Sequence, residues 1–344
     1  MVENWWELKE GTIDSFNEFK AFYTEHGHTL TEYGERMDWV EFINLMIMNL
    51  YYINLDFPGN NMIMWRPQEA GGKWRFVAKD TDFGLGLYDR KADYEVFKWL
   101  YDPNYDSSNN WGANGYDGTR LFRRLMEDAD FKREFIDRCC IYVGDFLNEQ
   151  GTRAVWDPLY DLIKTEYPFH RKLFNEWWPN YNDELNNARN FLKNRTSYFY
   201  KQLGAQYALG SPVTLTINKE NKDDVEITFN GVKLSEQVFD GKFFKDRNIH
   251  LSGKATAGME VKGWKVTGSV NQEVTGSELT LTMPNGSIAI NPIVGEASAI
   301  HEITSGESHV KAVYNMQGVR QNHAATGVNI VVYDNNATRK VVVK

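Results

Sequence analysis

The chain has 344 residues, 42% hydrophobic and 25% charged, proportions that exclude collagen-like repeats and wholesale disorder and make two or three domains the expectation. Its formal net charge of −9 falls wholly on residues 1–205, with 24 basic against 33 acidic side chains, whereas residues 206–344 hold 14 of each. No basic face for nucleic acid is expected, and the acidic part suits cations or basic partners as well as solubility.

In chain order, Met1-Val-Glu-Asn-Trp-Trp has neither the basic start nor the apolar core of a secretory leader, and the residues before Asp38 read as helical and polar. Asp38-Trp-Val-Glu-Phe-Ile-Asn-Leu-Met-Ile-Met-Asn-Leu-Tyr-Tyr predicts a largely buried helix. Its most apolar stretch, Leu45 to Ile53, is interrupted by Asn49 and is too short to cross a bilayer, so no transmembrane segment is expected. Asn61 to Pro67 and Lys73 to Ala78, separated by Gly71-Gly72, predict two short strands and a glycine turn. Residues 101–118 are dense in Asn, Asp, Gly and Ser and predict a long loop. Thr119 to Asn148 carries two helical patterns, and Asp183 to Leu209 a third, with Leu185, Ala188, Phe191, Leu192 and Tyr198 on one stripe.

Within the second of these patterns lie Cys139 and Cys140, adjacent in sequence, which offer neither a disulfide framework nor metal-ligand spacing and read as buried helix packing. His26 and His28 have no Cys or carboxylate cluster to make zinc ligands with and read as loop residues. His170-Arg171, near Trp177-Trp178, reads as helix packing rather than a peptide-facing groove.

From Ser211 the texture changes to alternation: Pro212 to Asn218, Val225 to Gly231 and Met259 to Val266 predict a small antiparallel module. Ala312 to Val319 and Gly327 to Tyr333 predict a further pair of strands. Ten of the eleven tryptophans precede residue 205, and their flat faces would suit sugars as well as a core. The fold class expected is α+β: a mainly helical domain over 1–205, a β-sandwich-like module over 206–293 and a C-terminal β tail over 294–344.

One constellation carries chemistry. Asp56-Phe-Pro-Gly-Asn-Asn61 follows the apolar helix, the predicted hairpin comes next, and Asp80-Thr-Asp82-Phe83-Gly84 closes it. Protein kinases use an Asp-x4-Asn loop and a later Asp-Phe-Gly in this order: the first Asp accepts the proton of the acceptor hydroxyl, while the Asn and the second Asp hold Mg²⁺ on the phosphates. A hard cation needs carboxylate and amide oxygens of this kind. The same residues also suit a helix end and its turns.

Taken with Asn54-Leu-Asp56 through Trp65-Arg66, Gly72-Lys-Trp-Arg-Phe76, Leu121 to Arg138 and Phe191-Leu-Lys-Asn-Arg195 to Leu203, the motif resembles the CotH family of atypical kinases, named for a spore-coat protein, over most of residues 33–205. The resemblance implies a kinase-like large lobe, bacterial, that uses ATP with Mg²⁺ or Mn²⁺ to phosphorylate Ser or Thr of secreted or surface proteins. Carried over, Asp56 is the catalytic base, Asn61 a metal ligand and the Asp80/Asp82 pair the source of the metal carboxylate, either member being open. Family members carry a small lobe with a phosphate-binding lysine. The 55 residues before Asp56 show no glycine-rich hairpin, and Lys9 and Lys20 sit in no such pattern, so weak ATP binding is expected. The segment from Thr228 to Trp264 is similar to surface-protein repeats, and the stretch from Ala312 to Lys344 looks like the sorting tail of type IX secretion substrates, which implies attachment at the outer surface. The alternative is a non-catalytic surface protein, a pseudokinase with β modules, that binds a protein or glycan.

Overall fold

Asp38 accepts a hydrogen bond from the Glu41 amide at 3.0 Å and so caps a helix whose Phe42, Ile43, Leu45, Met46, Ile47, Leu50 and Tyr51 are all buried. A helix apolar nearly all round belongs at the centre of a core, and the rest of the helical block is arranged about it. The computed structural model describes residues 1–3, 7–106, 117–175, 181–220, 224–297, 309–334 and 337–343.

The chain opens with strands β1 (Val2–Glu3) and β2 (Glu7–Leu8), followed by helices α1 (Asp14–Thr24), α2 (Leu30–Arg36) and the central α3 (Trp39–Tyr52). Strands β3 (Ile63–Trp65) and β4 (Arg75–Val77) form the predicted hairpin. Helices α4 (Val96–Tyr101), α5 (Asp117–Leu125), α6 (Ala129–Asp145), α7 (Glu149–Ile163), α8 (Tyr167–Leu173) and α9 (Tyr181–Gln206) complete the block. The expectation that the amino-terminal residues are helical holds from Asp14 onward and is corrected for Val2–Glu3 and Glu7–Leu8: β1 pairs with β2 and, through Val2 opposite Met64, with β3, giving a sheet of order β2-β1-β3-β4. Two-residue strands are too short to show a period, and pairing with a distant hairpin decides their conformation. Of the loop predicted over 101–118, residues 107–116 lie outside the described residues, and α4 and α5 take its two ends.

Two contacts aim the hairpin. Trp74, 3% exposed, sits between Phe16 and Phe19 of α1 at ring separations of 5.9 and 6.0 Å. Glu41 of α3 accepts from Arg75 Nε at 3.0 Å and from the Phe76 amide at 3.3 Å, and the Arg75 bond holds its carboxyl below the usual carboxylate range.

Beyond α9 the strands are β5 (Val213–Ile217), β6 (Val225–Phe229), β7 (Val232–Lys233), β8 (Phe239–Phe243), β9 (Asn248–Ala255), β10 (Met259–Gly268), β11 (Gln272–Thr275), β12 (Glu278–Thr282) and β13 (Ile288–Glu296). They form two sheets, β11-β10-β13-β5-β8 and β12-β9-β6-β7. Every paired neighbour is antiparallel except β13 and β5. Strands β14 (Val310–Asn315), β15 (Arg320–Gln321), β16 (Gly327–Tyr333) and β17 (Thr338–Val343) make a last sheet, with its own small cluster of Val313, Val331 and Tyr333. The fold is α+β, as expected. No described helix is long and apolar enough to cross a membrane.

One core runs from Val2 to Ile290, through helices α1 to α6 and α9 and both sheets of strands β5 to β13. The junction is glycine against glycine. A Cβ on Gly144 of α6 would lie 2.2 Å from the Phe239 ring, and one on Gly241 of β8 would lie 2.6 Å from the Gly144 Cα. Polar contacts ring this seam. Arg247 pairs with Asp137 and donates to the Arg133 carbonyl at 2.8 Å, while Ser235 donates its amide and hydroxyl to Asp145 at 2.9 and 2.7 Å. Gly144→Ala is therefore expected to destabilise the protein by about 1–3 kcal/mol through overpacking, although alanine is the better helix former by about 1 kcal/mol. Gly34→Ala in α2, where a Cβ meets only Trp39 at 3.6 Å, is expected to stabilise it by roughly 0.5–1 kcal/mol. Urea midpoints compared at a common slope check both signs.

Candidate active site

The loop after α3 is built by side-chain amides. Ile53 adopts a left-handed conformation with φ 57°, rare for a β-branched residue, and it stops the helix there. The amide of Asn54 bonds the Asn49 carbonyl at 2.9 Å. Its side-chain Nδ2 donates to Asn49 Oδ1 at 2.8 Å, and Asn49 Nδ2 donates to the Leu45 carbonyl at 2.8 Å. Asn49 and Asn54 are both buried, so this amide pair supplies in the core the partners that water would otherwise give. With Leu55, Phe57 and Pro58 also buried, Asp56 is left half-buried at the tip.

Asp56 accepts from Asn60 Nδ2 at 3.1 Å through Oδ1 and from Asn61 Nδ2 through Oδ2. Two amide donors on one carboxylate fix its direction. Asn61 is buried and left-handed, φ 54°, and leads into β3. At the far end of the hairpin Asp80 is again left-handed, φ 50°. The carboxyl of Asp82 is raised above the usual carboxylate range, first by desolvation, then by a hydrogen bond with Asp80 and that group's charge, and also by the charge of Asp56. The fold thus brings Asp56, Asn61, Asp80 and Asp82 to one end of α3, although residues 62–79 intervene in sequence.

The Asp-Phe-Gly segment is fastened to the same helix end. Phe83 is buried under Arg90, whose guanidinium lies 5.5 Å from the ring, and Leu85 N donates to the Tyr52 carbonyl at 3.0 Å. A Cβ on Gly84 would sit 3.1 Å from that carbonyl oxygen, so the segment's glycine is what lets the backbones approach. Ile53, Asn61, Asp80, Leu85 and Tyr88 all have positive φ, a concentration of costly backbone of the sort found at working sites.

Behind the loop lies a residue that sequence reasoning had not marked. Arg195 of α9 is fully buried and donates to the carbonyls of Tyr51 at 2.7 Å, Leu50 at 2.9 Å and Ala92 at 2.8 Å, and to Gln202 at 3.3 Å. It satisfies the last turn of α3 as a helix cap does. Burial pulls its pKa down to about 9, which leaves it charged at neutral pH.

Other expectations fare variously. Cys139 and Cys140 are buried, unbridged residues of α6, as read. His26 is an exposed partner of Glu127 at 2.9 Å, while His28 stacks on Phe22 at 3.8 Å. The packing expected around His170-Arg171 is corrected: α8 buries no residue, and Trp177 and Trp178 lie outside the described residues. Lys9 bonds Glu7 at 2.5 Å. Among the described residues no three His, Cys, Asp or Glu side chains are grouped so as to hold a metal.

No curated protein and no solved structure matches the chain. The family model described as CotH kinase protein matches residues 6–199, more than half of the chain and all of the site. The match begins with β2 and ends within α9, so it takes in Asp56, Asn61, Asp80, Asp82 and Arg195 alike; this protein belongs to the CotH kinase family.

Proposed function

We propose that this protein transfers the γ-phosphoryl group of ATP to Ser or Thr hydroxyls of secreted or surface proteins, with Asp56 as the base. The observation that carries the reading is the convergence of two pairs, Asp56 with Asn61 and Asp80 with Asp82, close enough that the charge of Asp56 acts on Asp82. A structural turn does not need carboxylates gathered against their own repulsion.

The residues fit a divalent cation in kind. Magnesium is commonly held by one or two carboxylates, with substrate phosphates and water completing its shell, so a pair suffices. Asp80 and Asp82, with the Asn61 amide oxygen, would hold Mg²⁺ or Mn²⁺, which would supply neutralisation of phosphate charge. The chain's own residues do the rest. Asp56, aimed by Asn60 and Asn61, takes the proton of the acceptor hydroxyl as that oxygen bonds to phosphorus and ADP departs.

The reading extends to location: the sheet of β14 to β17 serves as a sorting tail, and the protein acts outside the cytoplasm. Calorimetry with Mg-ATP, paired with phosphate transfer to a casein-type acceptor, tests the chemistry. Nucleotide affinity is expected to be weak and metal-dependent, and Asp82→Ala is expected to lose the metal-dependent part while the melting temperature holds. Unchanged affinity in that variant would make Asp82 a loop residue. A wild-type chain with metal, ATP and acceptor but no transfer would leave the binding-protein reading.

A further inference from the structure

Helices α7 and α8 differ from the rest. Among the described residues of α7 and α8 none is buried. Val155, Leu159 and Leu162 follow one another at helical spacing and so lie on one stripe, yet they are 66%, 56% and 74% exposed. Val155 and Leu159, with Trp156, line one side of a groove of about 510 Å³. Its other side is the end of α3 together with Thr81 and Asp82. The groove is thus apolar along α7, with the carboxylate of Asp82 on the opposite wall.

We propose that this groove docks the acceptor protein, which lays aliphatic side chains along Val155, Leu159 and Leu162 and so delivers a nearby Ser or Thr to the carboxylate end. The inference rests on the phosphotransfer reading and adds a specificity to it. Continuity argues for this occupant, since Val155 and Leu159 of the stripe share one groove with Asp82. Charge argues the same way: Asp82 on the groove wall, with Asp80 bonded to it, repels an acidic flank and accepts a neutral or basic one. A small apolar ligand would fill the inner end and leave Leu162 uncovered. From Thr152 to Leu162 the helix rises roughly 15 Å, a length that an extended strand covers in about five residues. The aliphatic residues of the acceptor therefore span no more than about five positions.

The test uses short fluorescent serine peptides with two leucines placed within that distance, on either the amino or the carboxyl side, and a control with asparagines in their place. Anisotropy is expected to show one leucine peptide binding at least about tenfold tighter than the control. Leu159→Asp and Leu162→Asp should erase the difference, and Leu159→Met should keep it. Because these positions are exposed, the melting temperature should not move. Equal binding of leucine and asparagine peptides, or indifference to Leu159→Asp, overturns the inference. So does a wild-type dimer in sedimentation that Leu159→Asp converts to monomer, since a second copy would then cover the stripe. Docking without any phosphate transfer would instead sink the phosphotransfer reading and leave the groove standing; transfer with no leucine preference would do the reverse.

Discussion

Arg195→Ala is expected to cost the protein about 3–5 kcal/mol, enough to leave a large unfolded fraction at neutral pH. The guanidinium is fully buried, and none of the four oxygens it bonds belongs to a carboxylate. Removing it strands the carbonyls of Leu50, Tyr51 and Ala92 in a dry core, and each such orphan costs about 1–3 kcal/mol. A cavity of arginine size adds to the loss. Arg195→Lys is expected to fall between wild type and alanine, because an ammonium cannot fork to carbonyls on two separate segments as a planar guanidinium does. Urea unfolding measures both. The effect should also reach the site, since Leu50 and Tyr51 form the last turn before Ile53 and Asp56: hydrogen exchange at Asn54 and Leu55 should accelerate in the lysine variant even where it remains folded. A loss under about 1 kcal/mol in the alanine variant would mean that water replaces the guanidinium and that α3 needs no cap.

What the sequence disclosed follows from which signals are local. Helix α3 was legible because a mostly apolar run after a capping Asp has few other solutions, and the hairpin because Gly71-Gly72 separates two short apolar segments. Asp56, Asn61, Asp80 and Asp82 were legible as a pattern, since order and spacing survive in one dimension. Their gathering at one end of α3 was not, because it depends on Trp74 and Glu41 aiming the hairpin across tertiary contacts. Arg195 escaped notice because arginine reads as surface unless its partners are known, and these are backbone carbonyls, which every residue has. The two amino-terminal strands are too short for a period. Residues 149–173 drew no reading beyond packing at His170-Arg171, although Val155, Leu159 and Leu162 recur at helical spacing, and that stripe faces outward. The seam between α6 and β8 rests on Gly144 and Gly241, and a glycine needed for contact looks like any other in sequence.

Asp56→Asn is expected to lower phosphate transfer by a factor on the order of 10²–10⁴, the usual worth of a positioned general base, while nucleotide binding stays near that of wild type. An amide of the same shape keeps the loop filled but cannot take a proton. It also has a single acceptor oxygen where the carboxylate has two, so with that oxygen facing Asn61 the 3.1 Å bond from Asn60 to Oδ1 is lost and only the longer one, 3.3 Å to the Oδ2 position, is left. Part of the loss is therefore misdirection, and Asn60→Ala, which removes one donor and leaves the base, isolates that part; a modest loss of transfer, well short of the Asp56→Asn value, is expected there. The contrast with Asp82→Ala is the decisive feature. A base acts on the acceptor hydroxyl and a metal carboxylate on the phosphates, so the first variant should fail in turnover and the second in metal-dependent affinity. If both variants lose affinity together, Asp56 belongs to the metal site and another group takes the proton. If neither changes anything while the wild type is active, the two pairs are turn residues and the chemistry lies elsewhere on the chain.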